Sequence, residues 1–194
     1  MYTVIGPVKS RAMRVLWMLE ELGEAYNHID AAPRSDAART YNPSGKVPAL
    51  LDGTEVLTDS MAILTYLADK HGKLTAPAGT IARARQDAMT FWLLDEFDAI
   101  LWAAAKHSFV LPQEQRMPAV KDSLKAEFSA SADQLAAKLD GPFLMGDQLT
   151  VPDILACHCL NWAVGAGFPR VDDRLFAYGK NLRQRPAFQA AAAR

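Results

Sequence analysis

Apolar residues at Ala12, Val15, Leu16, Leu19 and Leu22 recur at three- and four-residue steps and stop at Gly23, which predicts an α-helix from about Ser10 to Leu22 with a glycine C-cap. Before it, Tyr2-Thr3-Val4-Ile5 is β-branched and aromatic and ends at Gly6-Pro7, so it predicts a short strand closed by a turn. Tyr26 to Ile29 suits a second strand. Ser35 to Tyr41 is polar and alanine-rich and predicts a short helix. Pro48 to Leu51 then reads as a strand, Asp52-Gly53 as a turn, and Glu55 to Leu57 as the returning arm of a hairpin. A further helix from about Asp59 to His71 carries Ala62, Ile63, Tyr66 and Leu67 on one face and ends at Gly72.

After Gly72 the pattern changes. Lys73 to Gly79 is a linker by composition, and no strand signal follows it. Residues 81 to about 107, 116 to 139, 153 to 165 and 172 to 184 have helical spacing and are separated by Pro112, Pro118, Gly141-Pro142 and Gly167-Phe168-Pro169. The predicted architecture is therefore α/β followed by all-α. Residues 1–72 form a β-α-β, β-β-α unit whose order resembles thioredoxin-like folds, 73–79 link, and 80–194 form a helical bundle.

Composition narrows the function classes. With 194 residues, 50% of them apolar, the chain can bury a substantial core. A formal net charge of −1 gives no general basic field for nucleic acid, and Arg83 and Arg85 read as a solvated or dimer-facing helix surface. No apolar run approaches the roughly 20 residues that span a bilayer, and Met-Tyr-Thr-Val-Ile-Gly does not begin like a signal peptide, so a cytoplasmic protein is expected. The two cysteines, Cys157 and Cys159, sit two apart in a helical stretch and cannot face each other. They read as buried packing residues, and no metal site is expected from Cys-x-Cys alone.

The densest chemical signal is Asn42-Pro43-Ser44-Gly45-Lys46-Val47-Pro48-Ala49-Leu50, followed by Asp59-Ser60. Proline after valine beside an apolar run suits a turn entering a strand. Asp-Ser stands where a helix begins, a place that favours anions. One segment thus offers an extended backbone edge and an anion site. These residues, with Arg14-Val15-Leu16-Trp17-Met18-Leu19-Glu20-Glu21-Leu22-Gly23 and Leu149-Thr150-Val151-Pro152-Asp153-Ile154, resemble the soluble glutathione S-transferases over essentially the whole chain.

The resemblance implies a ligand and a set of roles. Reduced glutathione, as co-substrate, brings a γ-glutamyl carboxylate and amine, a cysteine and a glycine carboxylate. Val47, before a cis Pro48, would meet the cysteinyl part with its backbone N–H and C=O. Ser60 would take the γ-glutamyl carboxylate at the helix start and Asp59 the amine, although glutamate is commoner in the family at Asp59. Lys46 would reach the glycine carboxylate, against the plain alternative of a surface lysine. Arg34 and Arg39 are weaker candidates for the same end.

Conjugation needs the thiolate, and Ser10 at the start of the first helix is the candidate catalytic hydroxyl. The family's active residue commonly lies six positions before the helical valine, which is Lys9 here, whereas Ser10 lies five before Val15. Three alternatives stay open: Ser10 as an ordinary N-cap, backbone N–H groups from Lys9 to Ala12, and the Tyr2 hydroxyl.

In the helical half, Thr150-x-x-Asp153 reads as a capping box whose loss should cost about 0.5–2 kcal/mol. Trp92, Phe97, Trp102, His107 and Phe109 are the groups available to a hydrophobic electrophile, most of them serving as core. The expected activity is glutathione transfer to such an electrophile by a homodimer without metal, nucleic acid or membrane. A glutathione-dependent isomerase, peroxidase or dehalogenase and a non-catalytic binding protein are the rivals.

Overall fold

The computed structural model describes residues 1–194 and contains four strands and nine α-helices. In chain order these are β1 (Tyr2–Ile5), α1 (Ala12–Leu22), β2 (Tyr26–Ile29), α2 (Asp36–Tyr41), β3 (Ala49–Asp52), β4 (Glu55–Thr58) and α3 (Ser60–His71). There follow α4 (Ile81–Leu93), a π-helical segment Leu94–Ala99, α5 (Ile100–Ala105), a second π segment Lys106–Val110, α6 (Val120–Lys138), α7 (Val151–Gly165), α8 (Asp173–Arg183) and α9 (Pro186–Ala192). No helix is long and apolar enough to cross a membrane.

The strands form one sheet in the order β2-β1-β3-β4, with β1 parallel to β2 and antiparallel to β3, and β3 antiparallel to β4. The succession of elements along the chain is the β-α-β, β-β-α order expected from the sequence, as in thioredoxin-like folds. Alternation along the strands divides the apolar residues between two layers. Ile5 and Ala49, paired in register, cluster with Ala31 and with Ala38 of α2. Their neighbours Val4 and Leu50, also paired, are fully buried and point the other way, towards the layer in which α1 packs against α3.

Local chemistry sets where the helices stop. Gly23 and Gly72 hold φ of 76° and 60° at the C-caps of α1 and α3. At the other end α1 begins at Ala12 rather than at the expected Ser10, because Pro7 to Ser10 first close a turn in which the Ser10 N–H bonds Pro7 O at 3.0 Å. The predicted single helix over 81–107 carries two π segments.

The chain divides into two compact units, Met1–Ala78 with Arg183–Arg194, and Gly79–Leu182. Residues 183–194 group with the sheet because α9 packs on α1. Phe188 meets the fully buried Trp17 edge-on at 5.1 Å, and the Trp17 indole donates to Glu21 at 2.8 Å. Arg185 grips the same Glu21 with two bonds of 2.6 and 2.8 Å, and Arg194 bonds Glu20 at 2.7 Å.

Deleting residues 183–194 is expected to lower stability by roughly 2–3 kcal/mol, mostly through lost burial of Phe188 and Trp17. Arg185→Ala alone should cost under about 1 kcal/mol, since the arginine is 34% exposed and screened. Urea denaturation of both variants checks this, and equal stability of the shortened and full chains would contradict it.

In the helical unit, Trp92, Phe97, Phe128 and Phe168 form a chain of edge-to-face contacts at 5.0–5.6 Å, with Phe97 and Phe128 fully buried. The first two turns of α7, from Val151 to Cys157, are buried on every side.

Candidate functional site

Three segments of the first unit meet at Gly6. It sits at the end of β1 with φ of 129°, where a Cβ would stand 2.8 Å from the Val47 Cβ and 3.0 Å from the Ala12 Cβ. The absence of a side chain lets the β3 approach, through Val47, and the start of α1, through Ala12, both close on the end of β1. The turn is tied to β2 by the Gly6 N–H on Ile29 O at 2.9 Å and by His28 Nε2 on Gly6 O at 2.8 Å.

Ser10 lies on this turn, half-buried. Its Oγ donates to Pro7 O at 2.7 Å and accepts the Ala12 N–H at 3.1 Å. The hydroxyl therefore works as a local cap, and its one proton is directed at a backbone carbonyl. Donation to any other group exchanges that bond.

The Val47–Pro48 peptide is cis, and Val47 lies two residues before the sheet pairing that starts at Ala49. The loop before it is self-supporting. Asn42 Oδ1 accepts the Ser44 N–H at 3.1 Å and its hydroxyl at 2.8 Å, while Asn42 Nδ2 donates to Lys46 O at 2.9 Å. Gly45 has φ of 67°, and a Cβ there would lie 2.8 Å from the Arg34 Cα. Arg39 donates to Arg34 O at 3.3 Å and to Pro43 O at 3.2 Å. It buttresses the loop from the surface, and Arg34 and Lys46 are exposed as Arg39 is.

Asp59 and Ser60 stand at the N-terminus of α3. Asp59 is the N-cap, with φ of 69°, and its Oδ1 accepts the Met61 N–H at 2.9 Å and the Ala62 N–H at 3.1 Å. Ser60 is buried, and its Oγ accepts Arg14 Nη1 at 3.1 Å. Arg14 is 1% exposed on α1, one turn beyond Ser10. Sequence reasoning passed over it, although an arginine between Met13 and Val15 in an apolar run is the signal of a buried charge needing a partner.

Tyr2 is brought elsewhere. It is buried with its hydroxyl 2.9 Å from His71 Nε2, at the far end of α3. Ser10, Val47, Pro48, Ser60 and Arg14 are thus grouped about the N-termini of α1 and α3, with Lys46 beside Val47 and Asp59 beside Ser60.

The helical unit sorts its own candidates. Trp92 borders a cleft of about 450 Å³ with Arg85, Met89, Lys138, Leu144 and Met145, and the Lys138 ammonium lies 3.8 Å from its ring centre. Phe97 is core, His107 Nδ1 accepts the Met117 N–H at 3.2 Å, and Phe109 is exposed. Cys157 and Cys159 are buried and not joined in a disulfide. Cys159 faces Asp98 at 3.9 Å, and Asp98, His158 and Cys159 place three donor atoms within 4.8 Å of one another, a grouping that Cys-x-Cys spacing does not reveal.

Asp153 is fully buried and accepts four hydrogen bonds, from Leu144 N and the Tyr178 hydroxyl on one oxygen and from Thr150 N and Oγ1 on the other, at 2.7–3.0 Å. Burial pushes its carboxyl up from the ordinary value against the pull of those bonds, and burial likewise holds Tyr178 well above the usual phenol range, as a donor.

Residues 10–70 match the family described as Glutathione S-transferase, N-terminal domain. Glutathione S-transferase theta-1 of Mus musculus is 33% identical over 142 residues, which cover 70% of this chain and 59% of that protein. Glutathione S-transferase 3 of Zea mays is 29% identical over 209 residues, covering 96% of this chain and 90% of that one. The crystal structure of a theta class glutathione S-transferase from Xanthomonas axonopodis pv. citri, with glutathione bound, superposes with a TM-score of 0.80 at 28% identity over 100% of this chain and 97% of that one. The chain spans about three-fifths of the length of the mammalian theta-1 proteins that it matches.

Proposed function

We propose that this chain, which belongs to the soluble glutathione S-transferase family, binds reduced glutathione at the N-termini of α1 and α3 and conjugates it through its sulfur to a hydrophobic electrophile. The observation that carries the reading is the close approach of both Val47 and Ala12 to Gly6, which only a glycine permits, because it sets a peptide edge and a hydroxyl turn on the same end of β1. The cysteinyl part of the tripeptide pairs with the Val47 backbone. The γ-glutamyl carboxylate takes the Ser60 hydroxyl and N–H, its amine takes the outer oxygen of Asp59, and Lys46 neutralises the glycine carboxylate.

The sulfur then lies over the Ser10 turn. An ordinary thiol has a pKa of about 8.5. Lowering it by two units takes about 2.7 kcal/mol of preference for the anion. A hydroxyl hydrogen bond to a charged group supplies about 1.5–3 kcal/mol. The α1 N-terminus adds about 0.3–1 kcal/mol. Ser10 turns its proton from Pro7 O to the sulfur, exchanging a neutral acceptor for a charged one. The thiol proton leaves to solvent, the thiolate forms a carbon–sulfur bond, and the leaving group departs with its electron pair. Proximity and thiolate stabilisation carry the rate.

Calorimetric titration with reduced glutathione, with S-methyl glutathione as control, tests the reading. Saturable binding at one site per chain, with proton release for the thiol ligand only, is expected. Absence of binding at millimolar ligand would end it. Ser10→Ala should raise the bound thiol pKa by about one to two units and slow conjugation about 10–100-fold with little change in affinity. Unchanged turnover would move the role to the backbone N–H groups of the turn.

A further inference from the structure

Arg14 is a charged side chain buried in the apolar layer between α1 and α3, a placement that costs desolvation energy and calls for a use. A guanidinium offers N–H donors and no acceptor. The Ser60 hydroxyl has one proton and two lone pairs, so the bond at 3.1 Å fixes the direction of exchange: Ser60 accepts from Arg14. We infer that Arg14 is a positioning residue that sets the Ser60 hydroxyl so that its proton points away from the core, ready to be donated to the carboxylate of a γ-glutamyl ligand.

The inference rests on the glutathione reading of Ser60 given above and adds the group that makes Ser60 a donor. Serine in a first helical turn otherwise satisfies itself on nearby backbone, which would spend the proton before a ligand arrives. Arg14 removes that freedom from below, and its charge polarises the O–H towards stronger donation. Arg14 touches no ligand atom in this arrangement and acts through Ser60. Two helices, rather than one, then build the carboxylate site: α3 supplies hydroxyl and N–H, and α1 supplies the charge behind them.

The test is a titration of wild type, Arg14→Gln, Arg14→Lys, Ser60→Ala and the Arg14→Gln/Ser60→Ala double variant with two ligands. One is reduced glutathione, the other its analogue with the γ-glutamyl α-carboxylate converted to a carboxamide; urea midpoints are recorded alongside. Wild type should prefer glutathione. Arg14→Gln and Ser60→Ala should each lose on the order of tenfold in glutathione affinity, equal to about 1.4 kcal/mol, while the carboxamide changes little. The double variant should bind no worse than the weaker single one.

Equal weakening of both ligands by Arg14→Gln, or losses that multiply in the double variant, would overturn the inference by reducing Arg14 to a packing residue. If Arg14→Gln does not fold, Arg14→Lys decides: part of the preference should be lost, and the full wild-type preference would overturn the proposal. A wild-type chain that binds neither ligand removes the glutathione reading and this inference together. Wild-type binding with preference retained in the Arg14 variants removes the inference alone.

Discussion

Replacing Asp153 with alanine is expected to lower stability by roughly 3–5 kcal/mol, measured as a shift of the urea midpoint at neutral pH. A lost helix cap alone costs about 0.5–2 kcal/mol, the figure expected from Thr150-x-x-Asp153 as a local box. The structure raises it, because the same carboxylate also accepts from Leu144 N at 2.8 Å and from the Tyr178 hydroxyl at 2.7 Å. Alanine leaves those donors buried without an acceptor, at about 1–3 kcal/mol each. Against a total of about 5–15 kcal/mol for a typical protein, the variant would stand near the edge of folding. Asp153→Asn should cost less, since it keeps one acceptor oxygen but turns an NH₂ towards donors. A midpoint shift no larger than a cap's worth would show that Leu144 and Tyr178 find other partners.

The pH dependence of this site has a definite sign. Burial raises the folded-state pKa of Asp153 above its unfolded value, so between the two the folded chain binds more protons. Its contribution to stability therefore falls as pH rises through that window and is flat above it. Asp52 behaves oppositely: hydrogen bonds from Lys70 and Tyr66 hold its carboxyl below the ordinary value, and that support is lost as pH falls through the folded pKa. Acid sensitivity should thus follow surface pairs such as Asp52 with Lys70 and not the buried aspartate, and it should survive in Asp153→Asn.

What could be read from the chain was local. β1 and the helices ending at Gly23 and Gly72 stand where a β-branched run and glycine stops placed them, and β2 spans the Tyr26 to Ile29 read as a strand. The loop before Val47 was legible for the same reason, since Asn42 makes its bonds to Ser44 and Lys46. Features that depend on distant partners were not. Arg14 is explained by Ser60, 46 residues away, and Glu21 by Arg185, 164 residues away. The alanine-rich C-terminus looks featureless until Phe188 is seen against Trp17. The π segments at Leu94–Ala99 and Lys106–Val110 lie in a stretch whose spacing is helical throughout.

Gly6→Ala is the substitution expected to damage the proposed site most from outside it. Gly6 and Pro7 read from sequence as a plain turn, but the geometry demands glycine twice over. Its φ of 129° is a region that L residues rarely adopt, and the new Cβ would stand 2.8 Å from the Val47 Cβ, closer than such atoms approach. Backbone strain of about 1–3 kcal/mol adds to overpacking of about 1–3 kcal/mol, so a loss of roughly 2–6 kcal/mol in stability is expected. The relief available is outward movement of Val47, which withdraws the peptide edge from the start of α1. Glutathione affinity should therefore drop at least about tenfold in protein that is still folded. Gly53→Ala is the matched control: its φ is 63°, but a Cβ there meets nothing within 4 Å. It should pay only backbone strain of about 1–2 kcal/mol and bind glutathione as wild type does. Equal binding by the Gly6 and Gly53 variants would separate the position of Val47 from ligand recognition and leave the site to Ser60 and the Ser10 turn.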